Sequence, residues 1–336
     1  MKQEIGNRSG VATSLNNLGN AYNSLGQYQQ AIDFCQQSLE IAQEIGNRGG
    51  VANSLGGLGN AYYSLGQYQR AIDFYQQWLE IAQEIGDRRG VAASLGNLGN
   101  AYNSLGQYQQ AIDFYQQSLE IAQEIGDRGG VAASLGNLGI AYKSLGQYQQ
   151  AIDFHQQSLE IEQEIGDRRG VATSLGGLGS AYHSLGQYQQ AIDFHQQSLE
   201  IAQEIGNRGG IAISLNNLGN AYKSLGQYQH AIDFYQQWLE IAQEIGDIRG
   251  QANAWFNTGN TLKKLNRCED ALGAYRNSRE LSQNLGLDAD VQECDNAIQE
   301  LTSPSPLSAP QSQGFWHWLN LQIRRFWRWL RQLGRG

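Results

Sequence analysis

Proline is nearly missing from this 336-residue chain, and its three copies, Pro304, Pro306 and Pro310, all fall after residue 303. The preceding residues therefore contain no strong helix breaker. Cysteine is as scarce. Cys35, Cys268 and Cys294 form an odd set without CxxC spacing, which argues against a disulfide framework and for a reducing compartment. Cys35 stands where other copies of the repeat described below have Tyr or His, so it reads as packing. Charge is sparse at 16% of residues and unevenly placed. Residues 301–336 hold five Arg and no acid, leaving 18 basic against 32 acidic side chains in the first 300 residues. An acidic body argues against nucleic acid as a partner. No apolar run reaches the ~18 residues of a membrane-spanning helix, and the polar opening MKQEIGNRSG does not read as a signal peptide. Also lacking are a GxGxxG after a strand, GxxxxGK[ST], HExxH and GxSxG, so no enzyme, cofactor or metal is expected. The acids Glu80 and Glu84 recur with each copy, as solubilising surface groups would.

What the chain has in abundance is glycine, 41 residues, and repetition. The forty-residue unit LGNLGNAYNSLGQYQQAIDFYQQSLEIAQEIGDRRGVAAS recurs almost letter for letter six times, and a degraded seventh copy follows. The copies fall at about 7–46, 47–86, 87–126, 127–166, 167–206, 207–246 and 247–286. So short a unit cannot bury its own apolar face, so copies must stack. Within one copy, Leu95, Leu98, Tyr102 and Leu105 have helical spacing, as do Tyr108, Ala111, Ile112, Tyr115, Leu119 and Ala122. Leu105-Gly106-Gln107 reads as the turn between them, Gly126 as a C′ residue and Asp127 as an N-cap. Each unit is thus a helix A, a turn and a helix B. Gly99 and its equivalents Gly19, Gly59, Gly139, Gly179, Gly219 and Gly259 never vary. They read as places where helices come too close for a side chain. KQEIGNR at the start looks like the end of a helix B whose beginning is missing, as in a piece of a longer array. Residues 288–301 look like a capping helix with Asp290, Glu293, Asp295 and Glu300 toward water.

Leu98, Gly99, Tyr102, Gly106, Tyr108, Ala111 and Tyr115 match in type and spacing the signature of the tetratricopeptide repeat, and the chain resembles that family over about residues 5–300. The forty-residue length and the Gly-Asp-Arg junction resemble the repeats of Pins-type G-protein regulators and kinesin light chains, and similar arrays are common in cyanobacterial proteins. The proline that often ends the second helix is missing. The resemblance implies an all-α, right-handed superhelical solenoid of about seven helix pairs over residues 1–302, with A helices lining a concave groove. It also implies a non-enzymatic protein-interaction scaffold.

With Ala92 counted as position one, the resemblance turns positions two, five, six, nine and twelve toward that groove. Position six is Asn in five copies (Asn17, Asn97, Asn137, Asn217, Asn257), and so is position nine (Asn20, Asn60, Asn100, Asn220, Asn260). An amide both donates and accepts, so such a row can hold the backbone of an extended peptide. The other open reading is a solvated face, or one hydrogen-bonded from repeat to repeat. Lys or Arg is missing at positions two, five and six, which argues against a clamp for a terminal carboxylate. Lys143, Lys223, Lys263 and Lys264 make the later A helices more basic, either as solvated residues or to favour an acidic ligand. Trp78 and Trp238 replace Ser of other copies. A Ser-sized slot would be overpacked by Trp, so the position is expected to be partly open and the indoles to serve as peptide anchors. His155 and His195, at equivalent places in neighbouring copies, read as core or groove lining.

Residues 303–313, SPSPLSAPQSQ, form a Pro/Ser linker, and 314–336 read as a separate amphipathic tail helix. Wound at 100° per residue, Phe315, Trp316, Trp318, Phe326, Trp327 and Trp329 share a face with Leu319, Ile323, Leu330 and Leu333. Arg324, Arg328 and Arg331 lie opposite, with Arg325 at the border. Aromatic rings with arginines fit an anionic membrane surface, although docking on protein or nucleic acid stays open. The expected partners are therefore a protein or peptide in the groove and a membrane surface at the tail. Location is expected to be cytoplasmic, peripheral on the inner membrane face. Self-association into a structural element, or service as the sensor arm of a signalling system with a separate effector, are the alternatives.

Overall fold

A computed structural model describes residues 2–303, with side chains from Asn7 onward. The linker from residue 304 and the whole aromatic–arginine tail lie outside the described residues. Every regular element described is an α-helix: α1 (Lys2–Ser24), α2 (Tyr28–Glu44), α3 (Arg48–Ser64), α4 (Tyr68–Glu84), α5 (Arg88–Ser104), α6 (Tyr108–Glu124), α7 (Arg128–Ser144), α8 (Tyr148–Ile165), α9 (Arg168–Ser184), α10 (Tyr188–Glu204), α11 (Arg208–Ser224), α12 (Tyr228–Glu244), α13 (Ile248–Lys264), α14 (Cys268–Asn284) and α15 (Asp288–Thr302). Odd-numbered elements through α13 are the A helices, and even-numbered ones the B helices.

Two compact units are present, one ending at Gly250 and one starting at Gln251, inside the first turn of α13. In the first unit each A helix packs on its own B helix and each B helix on the next A helix, an all-α solenoid. Local sequence dictates the breaks. Each B-to-A turn places a glycine at positive φ (Gly126 at +71°) followed by Asp or Asn, whose side chain accepts the Gly N–H three residues on (Asp127 Oδ1 to Gly130 N, 3.0 Å). That satisfies one of the donors a helix start leaves open. Each A-to-B turn uses another positive-φ glycine, such as Gly106 at +75°, and repeat seven substitutes Asn266 at +57°.

The core is built from the periodic apolar positions. Leu58, Leu98, Leu138, Leu178 and Leu218 are fully buried, each contributing roughly 2 kcal/mol of transfer free energy. Between the two helices of each of the first six repeats a Tyr stacks on a Phe, from Tyr22–Phe34 to Tyr222–Phe234, with centroids 5.1 to 5.3 Å apart. Outside, an Arg near the start of the A helix of each of the first six repeats pairs with Glu at the end of its B helix, as in Arg48–Glu84 and Arg88–Glu124. Both partners are half-exposed, so each pair adds little. In the second unit α15 packs on α14. It is latched by Arg279 Nε to Asp295 Oδ1 at 2.6 Å and by an ion pair between Lys263 and Glu300. Asp295 and Glu300 thus face water as expected, and also pair with Arg279 and Lys263.

The opening differs from expectation. KQEIGNR does not form the end of a separate helix with a turn at Gly6-Asn7, because α1 runs unbroken from Lys2. A separate helical segment of five residues would barely complete one turn, and nucleating it costs more than continuing the helix already present.

Candidate functional site

Successive A helices of the first unit touch one another, α1 with α3 and onward to α9 with α11, whereas successive B helices approach less closely. The A helices therefore form the inner side of the stack. Exposure on this side is graded. Position two is open in every repeat (Ala93, Ala133, Thr173, Ile213), and positions six, nine and twelve are mostly half-buried. Asn97, Asn137 and Asn217 are half-buried, Asn257 in the second unit likewise, and Asn17 is exposed.

The position-nine asparagines are engaged inside the repeat. Tyr75, Tyr115, Tyr235 and Tyr275 donate their hydroxyls to Oδ1 of Asn60, Asn100, Asn220 and Asn260 at 2.8 to 2.9 Å. These amides keep the Nδ2 side for other uses, and Asn220 spends one of those protons on Asn216 Oδ1 at 3.2 Å. The same Tyr explains the invariant glycine. A Cβ on Gly99 would lie 2.4 Å from Cε1 of Tyr115, and one on Gly59 equally close to Tyr75. The close approach is that of a ring to a helix, not of two backbones. Burial pushes the Tyr75, Tyr115 and Tyr235 hydroxyls well above the ordinary tyrosine range, so they stay protonated donors.

Tyr, Asn and Gly thus form one unit, and in two repeats Tyr and Asn change together, although Asn20 stays where Cys35 replaces the Tyr. Where His155 and His195 replace the Tyr, Ile140 and Ser180 replace the Asn. Both imidazoles are at least 97% buried, at 3% and 2% exposure, with Nδ1 unbonded among the described residues. Burial first, then Lys143, holds His155 down at about 4. Burial, then His183 and Lys143, does the same to His195. In repeat one the Tyr is Cys35, fully buried and pushed by burial up to about 11, an unreactive thiol.

The tryptophan expectation is corrected at Trp238, which is only 7% exposed, whereas Trp78 is partly open as expected: half-buried, it packs against Ala82, Val91 and Leu95 with its ring over Gly56. The Ser of other repeats is buried between helices, where Ser118 Oγ donates to Ala92 O at 2.9 Å and Ser134 Oγ to Ser118 Oγ at 3.2 Å. Opposite Trp78, Ser94 turns back to Val91 O of its own helix at 2.9 Å. The Trp78 indole takes the space the Ser pair leaves and stays partly open, whereas Trp238 is enclosed and is no open anchor.

Position twelve carries a second set that the periodicity alone did not single out: Asn23, Tyr63, Asn103, Lys143, His183 and Lys223, all half-buried. Tyr63 Oη lies 2.9 Å from Ser104 Oγ, and His183 Nε2 lies 3.0 Å from Ser224 Oγ of the next A helix. Burial lowers Lys143 and Lys223 from the ordinary lysine range. One buried acid stands apart. Glu162 replaces the Ala of the other first-unit B helices, is 7% exposed, and is pushed up by burial against the help of Ser174 and Ser158. No cluster of three or more His, Cys, Asp or Glu converges among the described residues.

Known proteins place this architecture. The tetratricopeptide repeat family matches residues 10–84, 90–164, 144–204, 170–244 and 210–284. Among solved structures, BtubC (BKLC) from P. vanneervenii is similar at 23% identity, over 65% of this chain and 92% of that one, with a TM-score of 0.57. RapI in its apo form is similar at 17% identity, over 82% and 98%, with a TM-score of 0.64. A Rap protein complexed with competence and sporulation factor is similar at 14% identity, over 89% and 98%, with a TM-score of 0.60. No curated protein matches the chain in sequence. The family matches, which together cover most of the described helix pairs, show that the chain belongs to the tetratricopeptide repeat family.

Proposed function

We propose that the inner face of the first unit holds an extended segment of a partner protein, which makes the chain a non-enzymatic interaction scaffold. The observation that carries this reading is the contrast between frame and face. Leu, Gly, Ala and Tyr of the frame repeat almost without change, while positions two, six, nine and twelve vary and lie open or half-open on the A helices. Asn97 and Asn137 in successive repeats, and Asn217 two repeats further on, supply donors and acceptors suited to a peptide backbone. The solved neighbour named as complexed with competence and sporulation factor supports binding on such a stack.

Affinity capture with the full chain and with a variant carrying Asn97→Ala, Asn137→Ala and Asn217→Ala tests it. Position six is chosen because position nine also holds the core tyrosines. The expected result is loss of the captured partner from a variant that melts as the parent does. Unchanged recovery would count against the groove. The tail adds a tether to the cytoplasmic face of an anionic membrane, a reading that rests on its sequence. Co-sedimentation with vesicles containing phosphatidylserine should fall on Trp327→Ala with Trp329→Ala, and equal binding by both chains rejects it. Self-association is a second reading, favoured by the exposure of Val11 (45%) and Leu18 (46%) on α1, against 5% and 0% for Val51 and Leu58 at the corresponding places of α3. Light scattering over a concentration series distinguishes it.

A further inference from the structure

The acids of this chain are segregated. α3, α5, α7, α9 and α11 contain no Asp or Glu, whereas every B helix carries several. The N-cap carboxylates that precede the A helices, such as Asp127, stand sixteen residues before position twelve, about 24 Å along the helix axis. Inside an acidic body, the inner face is thus bare of negative charge. On it, repeats four to six place Lys143, His183 and Lys223 at the same position of α7, α9 and α11, helices that touch in sequence. The contact of His183 Nε2 with Ser224 Oγ, next to Lys223, shows that position twelve of one repeat reaches the end of the following A helix. Lys143 and Lys223 both act electrostatically on His183, so the three basic groups share one field.

None of them has an acid. Among the described residues no carboxylate pairs with Lys143, His183 or Lys223. Lys223 Nζ finds only Asn220 Oδ1 at 3.4 Å and the Tyr235 ring at 5.9 Å. By contrast, Lys263, at position twelve of repeat seven, is neutralised by Glu300. Beneath the three lie the buried His155 and His195, each with an unbonded Nδ1. Burial weakens the charged forms of all five, and neighbouring basic groups add to this at the three histidines. Half-buried cations without a counter-charge are costly unless something supplies one.

We infer that repeats four to six form a carboxylate-binding subsite, in which Lys143, His183 and Lys223 take the Asp or Glu side chains of an acidic, extended peptide segment. This rests on the groove reading and narrows it. Successive side chains of one face of an extended peptide lie about 7 Å apart, so a segment with an acid at every second or third residue can meet more than one of these groups. The competing structural account is that basic residues in the last helical turn merely complement the helix dipole. That account predicts a small loss of stability on their removal and no effect on any ligand.

The test uses the full chain and two capped peptides, Ac-GEGEGEGEG-NH2 and its Gln counterpart, which have no terminal carboxylate. Titration calorimetry at about 20 mM salt should show the Glu peptide binding at least about tenfold more tightly than the Gln peptide, and about 200 mM salt should weaken it. Lys143→Asn with Lys223→Asn should abolish that preference. Asn already stands at this position as Asn23 and Asn103, so the frame accepts it, and a melting curve confirms the fold. The Glu peptide should also raise the titration midpoint of His183 seen by NMR, and the Gln peptide should not. Equal binding of both peptides, no binding of either, or an unchanged preference in the double variant overturns the inference. Equal binding lost on replacing Asn97, Asn137 and Asn217 would keep the groove while removing this subsite. A Glu preference lost only with the lysines, and indifferent to those asparagines, would keep the subsite and remove the asparagine row.

Discussion

At Glu162 the chain contradicts its own rule, since the other first-unit repeats place Ala in that slot. The carboxyl is enclosed, with Oε1 3.2 Å from Ser158 Oγ and Oε2 unbonded among the described residues. Burial raises its folded titration midpoint above the ordinary carboxylate value. The acid form is thus favoured in the fold, and stability is lost as pH rises through the carboxylate range. Glu162→Ala is expected to stabilise repeats four and five by about 1–3 kcal/mol at pH 7, and by less at pH 4, as read by urea unfolding. His155 and His195 work in the opposite sense. Their folded midpoints near 4 lie below the unfolded value near 6.5. The unfolded chain binds more protons between these pH values, so stability falls as pH drops through that window. The loss is roughly 3 kcal/mol per histidine. In a Glu162→Ala background, His155→Tyr with Ile140→Asn and His195→Tyr with Ser180→Asn should flatten the slope between pH 6.5 and 4. A slope that survives would assign the acid sensitivity elsewhere.

At the scale of the helix pair, the recurring object is a three-residue lock: a glycine on helix A, a ring on helix B above it, and an amide one residue after the glycine that takes the ring's hydroxyl. Gly99→Ala should gain about 1 kcal/mol of helix propensity, yet its Cβ would sit 2.4 Å from Tyr115. Overpacking of this kind costs about 1–3 kcal/mol. Thermal unfolding should therefore show a net loss, and a gain in stability would mean that the ring moves aside freely. Helix boundaries, turn glycines and N-caps were legible because each depends on the chemistry of one or two neighbouring residues. Gly126 and Asp127 take the C′ and N-cap places their types imply. The Tyr115–Asn100 bond was less legible, since its partners are fifteen residues apart and meet only when two helices pack. A signal existed in the joint replacement of Tyr and Asn at His155–Ile140 and His195–Ser180. Trp238 misled for a related reason: residue volume was judged against the Ser of other repeats, while burial depends on how neighbouring helices pack.

For the molecule as a whole, the solenoid was legible from period alone, because no other arrangement buries the apolar face of near-identical short units. The inner face was legible only as positions. Which amides are already engaged, and that the A helices of repeats two to six carry no acid, became meaningful once neighbouring repeats were in contact. Near-identity has a thermodynamic consequence. When each repeat packs only on its neighbours, stability is a sum of similar terms for repeats and junctions. Removing residues 87–126 joins Gly86 to Asp127, which restores the native Gly-Asp junction. The α4–α7 junction so created packs Trp78 of α4 against Ser134 of α7 where it faced Ser94 before, an equivalent Ser at an equivalent place. The shortened chain is therefore expected to fold. Its urea m-value should fall in proportion to the surface removed, while helicity per residue stays unchanged by circular dichroism. A collapse of helicity would show that stability is cooperative over the whole array rather than shared between neighbours.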